Sequence, residues 1–259
     1  SVSLRGGNRG LGGSVFYSQQ KDKLTFSINA SLNQANMKNS WSETAREQYT
    51  PAGTVTTLTR SEFDLRTPIA LANISASYEI DAQNLISATA GLTGFSSDIA
   101  GNTATSIGPL GYDTQMSNRS SSNAISANVD YQHSWADVPS RIFTLSYQFA
   151  GTPVSGSTVN RYSRMPEEMS LMLTDMQQDS RSLSLDNTVQ ADFTTPLGEA
   201  LTLSTGAKFI GRHNNSDSDL LLWDGSGFVL NGAGSTQYDF YNNIGAAYAE
   251  LGGTVGKLS

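Results

Sequence analysis

The chain contains no cysteine, which excludes a disulfide framework and thiolate metal sites. Its only two histidines, His133 and His213, are too few and too scattered for a zinc centre. No run of about 18 apolar residues occurs, so there is no transmembrane helix. That absence leaves strand-built membrane proteins open, because barrels hide their lipid face in alternation. Charge is sparse as well, with 15% charged residues and a net charge of −7. There is no basic footprint, and a nucleic-acid partner is excluded. Sparse charge also argues against a disordered, self-repelling chain. Hydrophobic residues make up 37%, low for a soluble protein of this length. The opening "SVSLRGGNRG" lacks the apolar core of a signal peptide, so a leader has been removed or the chain is an internal piece.

What remains is rich in Ser, Thr, Asn and Gly, and it alternates. In "KLTFSINASLNQ", Phe26, Ile28, Ala30 and Leu32 face one way and Ser27, Asn29, Ser31 and Asn33 the other. The pattern recurs. Ile74, Ala76 and Tyr78 oppose Ser75 and Ser77, and Ile125, Ala127, Val129 and Tyr131 oppose Ser126, Asn128 and Asp130. Phe143, Leu145, Tyr147 and Phe149 oppose Thr144, Ser146 and Gln148.

Short polar turns separate paired strands at "QKDK" (20–23), "DAQN" (81–84), "ADVPS" (136–140), "TPLGEA" (195–200) and "LGG" (251–253). Their spacing of about 54–60 residues is a geometric period of strand, tight turn, strand and long polar connection. Four such connections, beginning at Asn36, Ser96, Thr152 and His213, are expected to be largely loop. Short turns at one end and long loops at the other is the asymmetry of outer-membrane barrels. About ten strands are expected, eleven or twelve if the first loop holds more.

The fold class is therefore all-β: an antiparallel up-and-down transmembrane β-barrel, present as a section of a larger barrel. The alternative is a secreted or surface-attached soluble β-sheet protein of adhesin type, with its apolar faces packed together. Tyr17, Tyr78, Tyr131, Trp135, Phe143 and Phe193 lie beside the tight turns, where an interfacial aromatic girdle would sit. Aromatics are also simply good strand formers.

Motifs that carry chemistry are scarce. "GGNRGLGG" lacks the spacing of a phosphate loop or dinucleotide fold. Asp217, Asp219 and Asp224 in "NNSDSDLLLWDGSGF" are weak calcium candidates without EF-hand spacing, and read more simply as a solvated, turn-forming loop. Met165, Met169, Met172 and Met176 have near-helical spacing and suggest a short helix packing a loop. No triad or carboxylate dyad is apparent, so neither an enzyme nor a cofactor is expected.

Three segments carry a family resemblance: "DYQHSWADVPSRIFTLSYQFAG" (130–151), "QADFTTPLGEALTLSTGAKFIGRHNNSDSD" (190–219) and "YNNIGAAYAELGGTVGKLS" (241–259). They are similar to strand–turn–strand units of TonB-dependent receptor-like outer-membrane proteins. The opening "GGNRGLGGSVFYSQQKDKLTFSINASLNQ" resembles the glycine-rich approach and first hairpin after the plug in that family, a large-barrel group common in Bacteroidetes-type bacteria. The resemblance implies a single barrel-domain fragment over residues 1–259, with a plug before residue 1 and more barrel after residue 259. It implies residence in the outer membrane of a Gram-negative bacterium and uptake or surface binding of an unidentified ligand. The partners it implies are outer-membrane lipid and, through the plug, an energy-coupling inner-membrane complex.

Overall fold

A computed structural model describes residues 1–51, 53–170 and 172–253. Among these residues eleven strands make one sheet. They are β1 (Val2–Gly7), β2 (Gly10–Lys21), β3 (Leu24–Thr50), β4 (Gly53–Glu79), β5 (Asn84–Ile107), β6 (Leu110–Ser134), β7 (Ile142–Ser163), β8 (Met176–Leu197), β9 (Leu201–Trp223), β10 (Phe228–Leu230) and β11 (Thr236–Gly253). One four-residue helix, α1 (Glu167–Ser170), lies between β7 and β8. Strands β1 to β10 follow chain order, each antiparallel to the next. The three-residue β10 covers only the tip of β9, and β11 takes the rest of that edge from Ser218 to Leu201. This is the expected up-and-down antiparallel architecture. Among the described residues β1 and β11 do not pair with each other, so the sheet has two edges.

The turns follow from their residues. Asp22 at φ 50° allows the two-residue hairpin between Lys21 and Leu24. The Asp81 carboxylate accepts the backbone N–H of Gln83 at 2.8 Å and of Asn84 at 2.9 Å, closing the β4–β5 turn on itself. The Gln83 N–H, then the Asn84 side-chain amide and the Asn84 N–H, hold the Asp81 carboxyl below its ordinary value. Gly198 at φ 79° opens the β8–β9 turn.

Three expectations need correction. The first two long connections are not loops. Strand β3 continues through Asn36 to Thr50 and turns at Pro51, while β5 runs on to Ile107 and turns at Gly108–Pro109. The third and fourth leave the long strands only at residues 164–170, 172–175 and 224–235, stretches that hold α1 and β10, with strand on both sides. Ser, Thr and Asn alternate on a ladder as readily as apolar residues when neither face is buried. The longest strands reach 27 residues, roughly 90 Å of chain. Finally, Leu251–Gly253 is not a turn: it is still β11, paired with Leu203 to Leu201. The end of the third family-like segment, residues 254–259, lies outside the described residues.

The sheet is a single layer. No hydrophobic residue among those described is buried, and Ser97 and Thr195 alone fall in the buried polar class. Cross-strand packing still makes specific contacts. The Tyr248 ring crosses Gly206 so that its hydroxyl donates to Asp192 Oδ1 at 2.9 Å. A Cβ on Gly206 would lie 2.3 Å from Tyr248 Cε1, whereas one on Gly245, on the opposite face of β11, would meet nothing within 4 Å. Gly206→Ala is therefore expected to cost about 1–3 kcal/mol, and Gly245→Ala close to nothing. Urea unfolding in detergent micelles measures the difference.

Candidate functional site

Directly paired residues share a face, so the register sorts the sheet into two surfaces. One rung runs Phe26, Ala76, Ala88, Val129, Tyr147, Val189 and Phe209. The neighbouring rungs of the same face hold Ile28, Ile74, Ala90, Ala127 and Phe149, then Ala30, Ala72, Leu92, Ile125 and Leu185. This apolar belt is open: Ile74 is 43% exposed, Leu92 42% and Phe209 52%. No second sheet covers it among the described residues, so the packed arrangement required by a soluble sandwich is not present. Along β4 the belt runs from Tyr78 to Ala70, and along β8 from Phe193 to Leu183, where its one polar member, Asn187, accepts the Tyr147 hydroxyl at 2.8 Å. That is about 9–11 residues, the length a tilted strand needs to cross a hydrocarbon core.

The belt does not follow a single rung. It covers Leu24 to Leu32 on β3, but on β9 it has slid toward the short turns, to Leu201, Leu203, Ala207 and Phe209. The rung of Leu24 reaches β9 at Ala207, so the belt's lower end there, Leu201, lies six residues nearer the short turns. On β4 and β8 the belt keeps the rungs of β3 to within one, and the shift falls at the β8–β9 step.

The opposite face of the belt is wet. It carries Ser27 and Ser75, whose hydroxyls bond at 2.6 Å, with Thr89, Asn128 and Gln148 on the same rung. It also carries Asp130, Lys208 and the Arg212–Asp186 ion pair at 3.3 Å.

Beyond the belt, away from the short turns, the two faces exchange character. The formerly apolar face becomes charged. Arg66, Asp98, Arg119, Asp179 and Asp219 occupy one rung, and Glu62, Arg161, Glu43, Arg60 and Asp113 lie farther out. Arg60 pairs with Glu43 at 2.6 Å, Arg119 with Asp98 at 2.8 Å, and Arg164 with Asp113. The formerly wet face turns apolar on β3–β5, with Met37, Leu65 and Ile99 on one rung and Phe63 and Met116 on the next, while Asn118, Thr158, Asn160 and Gln178 keep β6–β8 mixed. Leu220 and Leu222 continue it on β9, and Tyr112 meets Tyr162 at 6.0 Å. Sequence reasoning missed this exchange because it read these segments as loops.

The aromatic candidates separate into groups. Phe143 and Phe193 are direct cross-strand partners. The Trp135 ring meets Phe193 at 5.9 Å and His133 at 4.4 Å, both edge-on, with the Arg141 guanidinium 5.7 Å from its centroid. Tyr131 donates to Asn84 Oδ1 at 2.5 Å, and His133 Nδ1 lies 2.8 Å from the same atom. Tyr78 joins this level through its rung with Ile86 and Tyr131. Tyr17 pairs with Ile28 whereas Tyr78 pairs with Leu24, so Tyr17 lies four residues deeper in the belt. Asn84, His133 and Arg141 were not legible as members, because the turns that join them are far apart in sequence.

The aspartate candidates separate too. Asp217 and Asp219 share the charged face with Asp179 and Arg181, which stand opposite Asp219 and Asp217 respectively. Asp217 Oδ1 is buried without a hydrogen-bond partner. Asp224 is elsewhere, in the β9–β10 turn, where its Oδ1 accepts Ser226 N, Ser226 Oγ and Gly227 N at 2.8–2.9 Å. Among the described residues no group of three or more His, Cys, Asp or Glu side chains is arranged to hold a metal ion. Of the methionine stripe, Met169 falls in α1, and Met172 is 85% exposed.

Residues 137–259 match the family described as "Outer membrane protein beta-barrel family". The match supports an outer-membrane barrel. No curated protein matches the chain. Among solved structures, Pseudomonas aeruginosa OccK8 (OprE) is 8% identical, with 96% of this chain and 95% of that chain covered and a TM-score of 0.11. Pseudomonas aeruginosa OpdK, solved with vanillate, is 8% identical over 93% and 92% of the two chains, with a TM-score of 0.13. Likeness that slight carries no weight, and the architecture rests on the strand pairing.

The Asp224 turn gives a titration. The backbone N–H and hydroxyl of Ser226, then the N–H of Gly227, hold its carboxyl below the ordinary aspartate value. A depressed folded value means that the turn's charge-linked stability is present above the unfolded pKa of about 3.9. It is lost as pH falls through the lower folded value. Ser226→Ala is expected to move the Asp224 titration upward, toward the ordinary value, as followed by carboxyl NMR.

Proposed function

We propose that the chain is part of the wall of an outer-membrane β-barrel of TonB-dependent receptor type, taking up or binding a ligand at the surface of a Gram-negative cell. The observation that carries this reading is the belt. It is one membrane core tall, continuous from β3 to β9, apolar on one face only, and covered by nothing among the described residues. Lipid satisfies the apolar side chains, and the hydrogen-bonded ladder satisfies the backbone.

Closure of the two sheet edges falls to strands beyond residues 1–259, and energy coupling to a plug that would contact an inner-membrane complex. The short turns at 22–23, 81–84 and 198–200 face the periplasm, and the overhanging strands face outward. Tyr78, Tyr131, Trp135, Phe143 and Phe193 then meet the periplasmic headgroups. The wet face lines an aqueous path through which solute passes without covalent chemistry, so the protein is a transporter or receptor and not an enzyme.

Charge placed on the two faces tests the reading. Ala127→Arg puts a guanidinium in the middle of the belt and is expected to cost about 2–4 kcal/mol on folding into vesicles. Asn128→Arg, one residue along on the wet face, is expected to fold as the parent does. Equal penalties would refute a lipid-facing belt.

A further inference from the structure

We propose that a cleft on the charged face, framed by Lys38, Arg66 and Arg119, holds the phosphate of a glycolipid headgroup from the outer leaflet. This rests on the membrane reading above and goes beyond it by naming a ligand class and a site. Three features support it.

The first is charge. The cleft, of about 280 Å³, is lined by Asn36, Lys38, Asp64, Arg66, Asp98 and Arg119 among others. Its two carboxylates are already engaged: Asp98 Oδ1 by Arg119 Nε at 2.8 Å, and Asp64 Oδ1 by the backbone N–H of Asn39 at 2.8 Å. Lys38 and Arg66 enter no ion pair among the described residues, and Arg66 Nη2 makes only a 3.3 Å contact to Gln34 Oε1. The Arg119 side chain is 83% exposed, with its Nε already committed to Asp98 and its Nη atoms open to another acceptor. A phosphate is the complement of two arginines and a lysine brought together in this way.

The second is a built irregularity. Between Met37 and Ser40 the β3–β4 register shifts, setting Lys38 and Asn39 against Asp64 alone, with Asn39 at φ 53°. This bulge re-aims Lys38 toward the cleft and gives the N–H that occupies Asp64.

The third is continuity with the belt. Arg66, Asp98 and Arg119 share a rung two above Leu32, Ala70 and Gly94, the last apolar rung, with only Gln34, Pro68, Ser96 and Ser121 between. Acyl chains against the belt therefore end directly below the cations. At the same height on β8–β9, Asp179, Asp217 and Asp219 outnumber Arg181, so the anion site belongs to the β3–β6 side alone.

The test uses the full-length protein in nanodiscs of uncharged phosphatidylcholine. The discs are doped with lipid A bearing both phosphates or with dephosphorylated lipid A, and native mass spectrometry reads the retained glycolipid. The parent is expected to retain phosphorylated lipid A and not the dephosphorylated form. The variant combining Lys38→Gln, Arg66→Gln and Arg119→Gln is expected to retain at least about tenfold less. Arg46→Gln, on the opposite face, is expected to change nothing. If the triple variant does not fold, Arg66→Gln alone is read in the same way, with a several-fold loss expected. Three results would overturn the inference while leaving the membrane reading intact: equal retention of the dephosphorylated lipid, undiminished retention by the variants, or displacement of lipid A by inorganic phosphate, which would make the cleft a generic anion site. A parent protein that enters no bilayer would overturn both.

Discussion

A sheet with nothing packed on either side among the described residues satisfies its backbone everywhere but at its two edges, and its side chains not at all. The cross-strand ladder from β2 to β9 pairs the N–H and C=O groups. Both faces are left to be covered by whatever surrounds them. Everything else about the chain follows from that constraint. Where the surroundings are hydrocarbon, one face must be apolar over the thickness of the hydrocarbon and no farther. Where they are water, either face can be polar. The strands change composition at the height where this condition changes.

The slide of the belt across the sheet belongs to the same logic. A bilayer is flat, but the hydrogen-bonded rungs of tilted strands are not parallel to it. Apolar residues can therefore step along a strand relative to its neighbour, as they do between Leu183–Phe193 on β8 and Leu201–Phe209 on β9.

The lower half of the sheet was legible for this reason. Where one face is lipid and the other water, the contrast between Phe26 or Ile74 and their Ser or Asn neighbours is steep. The short turns declare themselves through Asp22, Asp81 and Gly198. The upper half was not legible. In segments such as "NMKNSWSETAREQYT" both faces carry polar residues, and period-two alternation of Ser, Glu and Arg looks like loop until the partner strand is known. Function was less legible than fold, because its elements meet only across strands. Asp179 reaches Asp219, and Asn84 reaches His133, over separations of about 40–50 residues. Asp224, by contrast, was readable as a turn residue from its local Asp-Gly-Ser-Gly context alone.

The exchange of faces above the belt sets a wettability gradient along the inner wall. From hydroxyl and amide groups level with the hydrocarbon, the lining passes outward to the thioethers of Met37 and Met116, the phenyl ring of Phe63 and the branched chains of Leu65 and Ile99. A solute moving inward along this strip of the wall would meet thioether and phenyl groups first, and hydroxyl and amide groups only after them.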